Sequence, residues 1–309
     1  RPVNVNSLAA IFAKGFLAGL VGCFALATVY LLSVRTVRKE SDMKRITSAR
    51  CINCIPEVVP KKRSNNKKLK LLITNKRIDW GFKQSILMIQ SRLQQIMRRT
   101  GDKVLLITST IPAEGKTMTS VNMALAFAQE GMKVALLDGD LRKPSVSELM
   151  KLPEGPGLTE YFRGESTPEE IQVVKDGVTF FRAGQKKGKV SGLIDEEKMN
   201  SLLEKLRKEY DVILMDAAPS YVFSDAMILS SYADKVLYVV RVDKADAKEI
   251  RVGMNSFEEK EKLIGYVINR DTGGYISQSG YGYGRYGKYQ KYRKYAELDE
   301  ETMNTEDTL

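Results

Sequence analysis

From Trp80 onward, short apolar runs alternate with stretches of helical periodicity. The runs are "KVLLITS", "KVALLD", "VTFFRA", "DVILMD", "KVLYVVR" and "IGYVIN". Each run is apolar throughout instead of alternating with polar residues, which is typical of parallel strands buried on both faces of a sheet. The pattern predicts an α/β domain over residues 80–272, built on a doubly wound and mostly parallel sheet.

The helical stretches between these runs are amphipathic. Phe82, Ile86, Ile89, Leu93 and Ile96 recur at steps of three and four, which predicts a helix before the first strand. Further helices are predicted over Lys116–Gln129, Asp195–Glu209, Asp225–Tyr232 and about Ala245–Lys262.

The beginning of the chain has a different pattern. Residues 15–34 contain no charge, and at about 1.5 Å per residue they would span roughly 30 Å, the thickness of a bilayer core. They predict a transmembrane helix, with a buried core helix as the alternative. Because the chain begins at Arg1 and not at Met, we interpret residues 1–14 as the remnant of an extracytoplasmic segment. The basic residues that follow place the rest of the chain on the cytoplasmic side.

Two segments lack the periodicity of a packed domain. Residues 35–79 include "PKKRSNNKKLK" and predict a basic juxtamembrane linker, either lying on an anionic membrane surface or simply solvated. Residues 273–309 are rich in Tyr, Gly and basic residues and end in an acidic stretch. This composition cannot fill a core, so we expect a disordered tail.

Composition narrows the chemistry. The net charge of +11 favours anionic partners: nucleic acid, an acidic membrane or phosphates. The chain contains no histidine, which excludes His-based triads and His metal ligands. Cys51 and Cys54 form a CxxC with no second pair, so the sequence predicts ordinary reduced thiols and not a zinc or redox site.

A candidate phosphate-binding loop follows the first strand. The segment "ITSTIPAEGKT" ends in Gly115, Lys116 and Thr117, the end of a P-loop that supplies a lysine to the phosphates and a hydroxyl to Mg²⁺. Thr110 replaces the first glycine of the usual pattern. The fold expected is therefore of the P-loop NTPase type, with a chance Gly-Lys-Thr turn as the alternative.

Acidic residues lie where two later strands end. Asp138 and Asp140 follow "KVALL", and Asp216 ends "DVILMD". Ligands bind at the carboxyl ends of parallel strands, so these carboxylates and the loop could meet around one Mg²⁺-nucleotide. Each of them could instead be a helix cap or a turn former.

The loop, the DxDxR from Asp138 to Arg142, Asp216 and the terminal tyrosines together resemble the bacterial tyrosine kinases of capsular and exopolysaccharide synthesis. The apolar helix resembles the second transmembrane helix of their adaptor. The resemblance implies ATP and Mg²⁺ as cofactors, with Lys116, Asp138, Asp140 and Asp216 as catalytic residues and Thr117, Asp138 and Asp216 at the metal. The nucleotide-binding residues implied are Pro112, Ala113, Glu114, Gly115, Lys116, Thr117, Met118 and Arg142.

Half of the 14 tyrosines lie near the end of the chain: Tyr275, Tyr281, Tyr283, Tyr286, Tyr289, Tyr292 and Tyr295. Tyrosines mixed with Arg and Lys also suit RNA stacking. Beside the kinase motifs we interpret them as phosphoacceptors, and we expect no nucleic-acid partner.

The sequence thus predicts a membrane-tethered tyrosine autokinase that regulates polysaccharide synthesis and export. The expected partners are the membrane, other copies of the chain, the polysaccharide machinery and a phosphotyrosine phosphatase. Two alternatives stay open: a nucleotide-switched scaffold without catalysis, and a positioning ATPase that transfers the phosphate to water.

Overall fold

The computed structural model describes residues 5–33, 36–58, 71–185 and 192–271. The chain divides into two compact units, Arg1–Thr36 and Val37–Leu309. The first unit contains one helix, α1 (Val5–Ser33). A helix was predicted here as a membrane span; within the described ranges, however, no helix combines the length and the apolarity that crossing a membrane requires.

The second unit is built around one sheet. Its strand order is β1-β8-β7-β2-β6-β3-β5-β4, and neighbouring strands are parallel except for the antiparallel pair β4–β5. This confirms the mostly parallel α/β sheet. The strands are β1 (Cys51–Pro56), β2 (Val104–Ser109), β3 (Val134–Asp138), β4 (Gln172–Lys175), β5 (Val178–Phe181), β6 (Val212–Asp216), β7 (Lys235–Arg241) and β8 (Leu263–Asp271).

The central strands are buried on both faces, as their apolar runs predict. Every residue of β2, β3, β5 and β6 is buried. Successive side chains of a strand point to opposite faces: Val104 and Leu106 lie in one core layer, whereas Leu105 and Ile107 lie in the other. The sheet therefore has a hydrophobic layer on each side.

Helices cover both layers, which makes the domain doubly wound. One core layer contains apolar residues of α3, α4 and α5, and the other contains those of α6, α7, α8 and α9. The helices of this unit are α2 (Glu40–Met43), α3 (Trp80–Thr100), α4 (Lys116–Gln129), α5 (Val146–Met150), α6 (Leu158–Arg163), α7 (Glu196–Glu209), α8 (Asp225–Tyr232) and α9 (Ala247–Glu258).

The capping residues explain where α3 begins and ends. The Asp79 carboxylate accepts the N–H of Phe82 at 3.1 Å, and Gly101 ends the helix in the left-handed region at φ 75°. Phe82, Ile86, Ile89 and Leu93 are buried as predicted, but Met97 takes the core position expected for Ile96, which is only partly buried.

The predicted linker over 35–79 is wrong in part. Residues 51–56 form β1, an edge strand paired in parallel with β8, and α2 precedes it. The folded unit therefore begins near Val37 and not at Trp80. The strand was missed because "CINCIP" is interrupted by Asn53, ends in Pro56 and buries only Ile52 and Ile55, so it lacks the continuous apolar run of a central strand. The predicted tail lies outside the described residues.

Candidate active site

The loop between β2 and α4 forms the first part of the candidate site. Gly115 is the N-cap of α4 with φ 98°, a left-handed conformation that favours glycine, and the helix begins at Lys116. The first N–H groups of a helix have no partner within the helix and carry partial positive charge. The end of this loop therefore has the geometry of an anion site.

The loop is bonded to the ends of β7 and β8. The Glu114 carboxylate accepts the N–H groups of Ile111 at 2.8 Å and Arg241 at 3.2 Å. The Arg241 guanidinium donates to the Ala113 carbonyl at 3.1 Å, and the Asn269 amide donates to the Glu114 carbonyl at 2.6 Å. These hydrogen bonds from β7 and β8 fix the backbone path of the loop.

Glu114 is fully buried, and burial raises its pKa to about 7, although hydrogen bonds from backbone N–H groups lower it. The family resemblance implies that Glu114 binds the nucleotide together with the rest of the loop. Its side chain is instead bonded to the protein, so only its backbone remains for that role.

Lys116 and Thr117 lie against Asp216. The Thr117 hydroxyl donates to Asp216 Oδ2 at 2.6 Å. The Lys116 ammonium lies 2.7 Å from Asp140 Oδ2 and 3.5 Å from Asp216 Oδ2. Burial lowers the pKa of Lys116, but the charges of Asp216 and Asp140 outweigh it, so the pKa is raised and the lysine stays charged.

The three predicted carboxylates converge. Asp138 and Asp216 lie opposite each other across the β3–β6 ladder. Asp138 and Asp216 are fully buried and Asp140 is 4% exposed. Burial, and then the charge of Asp216, raise the pKa of Asp138. Among the described residues, Asp138 Oδ1 is buried with no hydrogen-bond partner.

Asp138, the last residue of β3, and Asp140, two residues later, also have the structural roles of a helix cap and a turn former, which the sequence leaves open as the alternative. Asp138 Oδ2 accepts the N–H of Val146, at the start of α5, at 3.2 Å. Asp140 Oδ1 accepts the N–H of Lys143 at 3.0 Å, as in a turn. Each carboxylate therefore has one oxygen that accepts a backbone N–H. The other oxygen of Asp140 lies beside the Lys116 ammonium, and the other oxygen of Asp138 has no hydrogen-bond partner.

Arg142 is held by the start of α8 and the residue Phe223 just before it. Its guanidinium donates to both oxygens of Asp225, at 2.5 and 3.1 Å, and lies 4.5 Å from the centroid of the Phe223 ring. Hydrogen bonding to Asp225 raises the pKa of Arg142. Pro112 is exposed at the loop, and Met118 is half-buried against the core.

Sequence reasoning missed three residues of the site. Ser120 donates to Asp216 Oδ1 at 2.9 Å, and its place four residues after Lys116 on α4 was a usable signal. Arg241 and Asn269 bond the loop from distant strands, and nothing in the local sequence indicates this contact. All seven predicted phosphoacceptor tyrosines, Tyr275 to Tyr295, lie outside the described residues.

Comparison with known proteins agrees with this geometry. Residues 101–245 match the family model ParA, described as NUBPL iron-transfer P-loop NTPase. The tyrosine-protein kinase CpsD of Streptococcus pneumoniae is 34% identical over 184 residues, which cover 55% of this chain and 78% of the relative. The chain belongs to the bacterial tyrosine-protein kinases. Tyrosine-protein kinase YwqD of Bacillus subtilis is 32% identical over 185 residues, 59% of this chain and 77% of that protein.

A solved tyrosine kinase domain has the same fold. The kinase domain of Escherichia coli tyrosine kinase ETK aligns with a TM-score of 0.66 at 25% identity, over 75% of this chain and 94% of that domain. Other tyrosine-protein kinases are much longer. The chain spans only 27% of the length of the ptk kinase of Acinetobacter johnsonii, to which it is 26% identical.

Proposed function

We propose that this protein is an ATP- and Mg²⁺-dependent tyrosine autokinase that transfers the γ-phosphoryl group of ATP to tyrosines of its own C-terminal cluster. One observation carries the proposal: a buried lysine at a helix N-terminus lies within 3.5 Å of two carboxylates from two different strand ends. In phosphoryl transfer the protein mainly positions groups and stabilises charge. This cluster contains the groups needed for both tasks.

The donor set fits magnesium. Thr117, Asp138 and Asp216 offer hard oxygen ligands, which Mg²⁺ prefers, and Asp138 Oδ1 is a buried acceptor that lacks a partner. We assign these three residues to the ion, directly or through water. When bound, the ion would neutralise charge on the phosphate oxygens.

Lys116 is the residue that would stabilise the negative charge of the phosphoryl group during its transfer. It is charged and only 9% exposed, and charge stabilisation is stronger in such a site than in water. Its present partners are carboxylates, so a triphosphate would compete with Asp140 and Asp216 for the ammonium. The N–H groups at the start of α4 would bind the same anion.

Asp138 is the candidate proton acceptor. Its raised pKa makes it a stronger base than an ordinary carboxylate. In the proposed reaction the tyrosine Oη forms a bond to the γ-phosphorus while the bond from that phosphorus to the β–γ bridging oxygen breaks. The phenolic proton passes to Asp138, and ADP leaves.

The proposed acceptors are the seven tyrosines from Tyr275 to Tyr295. The basic residues between them carry about +5, and seven phosphates at about −1.5 to −2 each would make the segment strongly negative. Phosphorylation would therefore expel a tail that had bound an acidic surface. The regulation of polysaccharide synthesis and export, and the removal of phosphate by a phosphatase, are proposed on the family resemblance.

We also propose that α1 attaches the protein to a membrane, with the kinase domain on the cytoplasmic side. The support is that α1 exposes large apolar side chains along much of its length: Ile11, Phe12, Phe16, Leu17, Leu20, Val21, Phe24, Leu26 and Val29. Replacing Phe16, Leu20 and Phe24 by Glu should move the protein from the membrane fraction to the supernatant. Unchanged pelleting would refute this attachment.

The decisive experiment is phosphotyrosine mapping after incubation with ATP and Mg²⁺. A kinase labels the tail and Lys116→Met abolishes the label, whereas a scaffold or a water-directed ATPase leaves the tail unlabelled. Mixing the Lys116→Met protein with an active protein that lacks the tail tyrosines tests transfer between copies. Label on the inactive copy supports self-association during catalysis, and its absence argues for transfer within one chain.

A further inference from the structure

Two thiols and a carboxylate meet at the edge of the sheet, three strands away from β2. The Sγ atoms of Cys51 and Cys54 and a carboxylate oxygen of Glu40 all lie within 4.8 Å of one another. Both cysteines are free thiols on β1 and are half-buried. Nothing in the proposed kinase reaction uses them.

A β-bulge brings the two cysteines together. Residues i and i+3 of a regular strand point to opposite faces of the sheet. In β1, however, Cys51 pairs with Tyr266 and Asn53 pairs with the very next residue, Val267, so that β1 has one residue more than β8. Bulges redirect side chains in this way. Both thiols consequently pack against the same core layer.

The third group comes from outside the strand. Glu40 lies at the start of α2, is exposed, and precedes Cys51 by eleven residues, so no spacing motif joins the three. The absence of histidine and of a second cysteine pair argued against a zinc site at the level of sequence. The fold supplies a third ligand that this reasoning did not consider.

The three groups differ in their exposure. The Glu40 carboxylate is exposed, whereas the two thiols are half-buried. A metal ion would therefore reach the cluster from solvent on the side of Glu40, and it would displace the thiol protons on binding.

We propose that Glu40, Cys51 and Cys54 bind one divalent transition-metal ion of the zinc class. Thiolate sulfur together with a carboxylate oxygen is a donor set that Zn²⁺ accepts, whereas Mg²⁺ avoids sulfur. Three protein ligands leave a fourth position open to water or another ligand. The ion would join α2 to β1 at the edge of the sheet, where β1 pairs with β8.

The test uses the full chain, reduced and freed of metal, titrated with Co²⁺. The expected result is one thiolate-bound Co²⁺ per chain, seen as a thiolate-to-cobalt charge-transfer band, and loss of the band when Zn²⁺ but not Mg²⁺ is added. Cys51→Ser and Cys54→Ser should each weaken binding by more than the roughly 10- to 100-fold typical of outer-shell changes. Cys23→Ser, which alters the third cysteine, is the matched control and should bind as the unchanged protein does.

Glu40→Gln keeps both thiols and changes an exposed residue, so it tests the site even where a cysteine variant fails to fold. It should weaken Co²⁺ binding about tenfold or more while the sulfur band remains. The proposal is overturned by the absence of a thiolate band, by a band that survives Cys51→Ser, or by a Cys51–Cys54 disulfide that persists under reduction. Since metal binding is measured directly, the outcome is independent of whether the protein is an active kinase.

Discussion

Gly115 is the position in the phosphate-binding loop where an added methyl group should destabilise the protein most. A Cβ placed there would lie 2.1 Å from the Asn269 amide nitrogen, and the residue has φ +98°. The same amide is buried and donates to the Glu114 carbonyl at 2.6 Å. Gly115→Ala therefore introduces backbone strain and also displaces the amide that fixes the loop.

The two effects can be estimated separately. A left-handed backbone costs about 1–2 kcal/mol for a residue with a Cβ. Leaving a buried carbonyl without its hydrogen bond costs about 1–3 kcal/mol. The free energy of unfolding should fall by about 2–5 kcal/mol. Gly101→Ala is the matched control, because Gly101 has φ +75° but no atom within 4 Å of an added Cβ. It should cost only about 1–2 kcal/mol.

Urea unfolding followed by the fluorescence of Trp80, the only tryptophan, measures these differences. Asn269→Ala removes both the clash and the hydrogen bond, so Gly115→Ala combined with Asn269→Ala should be less destabilising than the sum of the two single changes. Binding of a fluorescent ATP analogue should weaken in Gly115→Ala and not in Gly101→Ala. Equal destabilisation by the two alanines, or strict additivity of the pair, would refute the reasoning.

Other predictions concern titration and catalysis. The pKa of Glu114 is raised from 4.5 to about 7 in the folded protein, so protonation of this carboxyl stabilises the fold. The contribution to the free energy of unfolding is about 3 kcal/mol; it is fully present below pH 4.5 and is lost as the pH rises through 7. Glu114→Gln should remove that part of the pH dependence in chemical denaturation, and an unchanged slope would contradict it. Thr117→Val should reduce autophosphorylation about 100-fold, whereas Thr117→Ser should retain most of it, as measured by phosphotyrosine labelling. Full activity of the Val variant would show that the Thr117 hydroxyl is not a ligand of the metal ion. Asp138→Asn should lower the rate about 10²- to 10⁴-fold, measured by phosphotyrosine labelling. A wild-type rate in the Asn variant would assign the proton to another group.

The parts of this protein that follow from local pattern were predictable. Continuous apolar runs identify the central strands, and acidic residues at their ends identify Asp138 and Asp216, because strand ends of a parallel sheet share one edge. Two edge strands were missed. Strand β4, "QVVK", is four residues long and partly exposed. Strand β1 contains Asn53 and Pro56, and only Ile52 and Ile55 are buried in it. Neither strand therefore has the continuous apolar signature of a buried strand.

What the sequence could not indicate are contacts between distant segments. Asn269 follows Glu114 by 155 residues and contacts it only because β8 lies beside β7 in the sheet. The burial of the Glu114 side chain follows from the same arrangement. In the same way, Cys51 and Cys54 lie close together because of the one-residue β-bulge in β1, which no periodicity in the sequence predicts.

The position of Asn269 on β8 also has a consequence for the substrate of the proposed autokinase reaction. The residue that holds the phosphate loop lies two positions before Asp271, where the last strand ends, and Tyr275 follows only four residues later. At about 3.3 Å per residue, four residues of chain reach at most roughly 13 Å. In the proposed autokinase reaction, a connection of that length would give Tyr275 an effective concentration in the millimolar range at the site. A foreign protein substrate would then compete with the chain's own tyrosines, and would gain access chiefly once those tyrosines are phosphorylated.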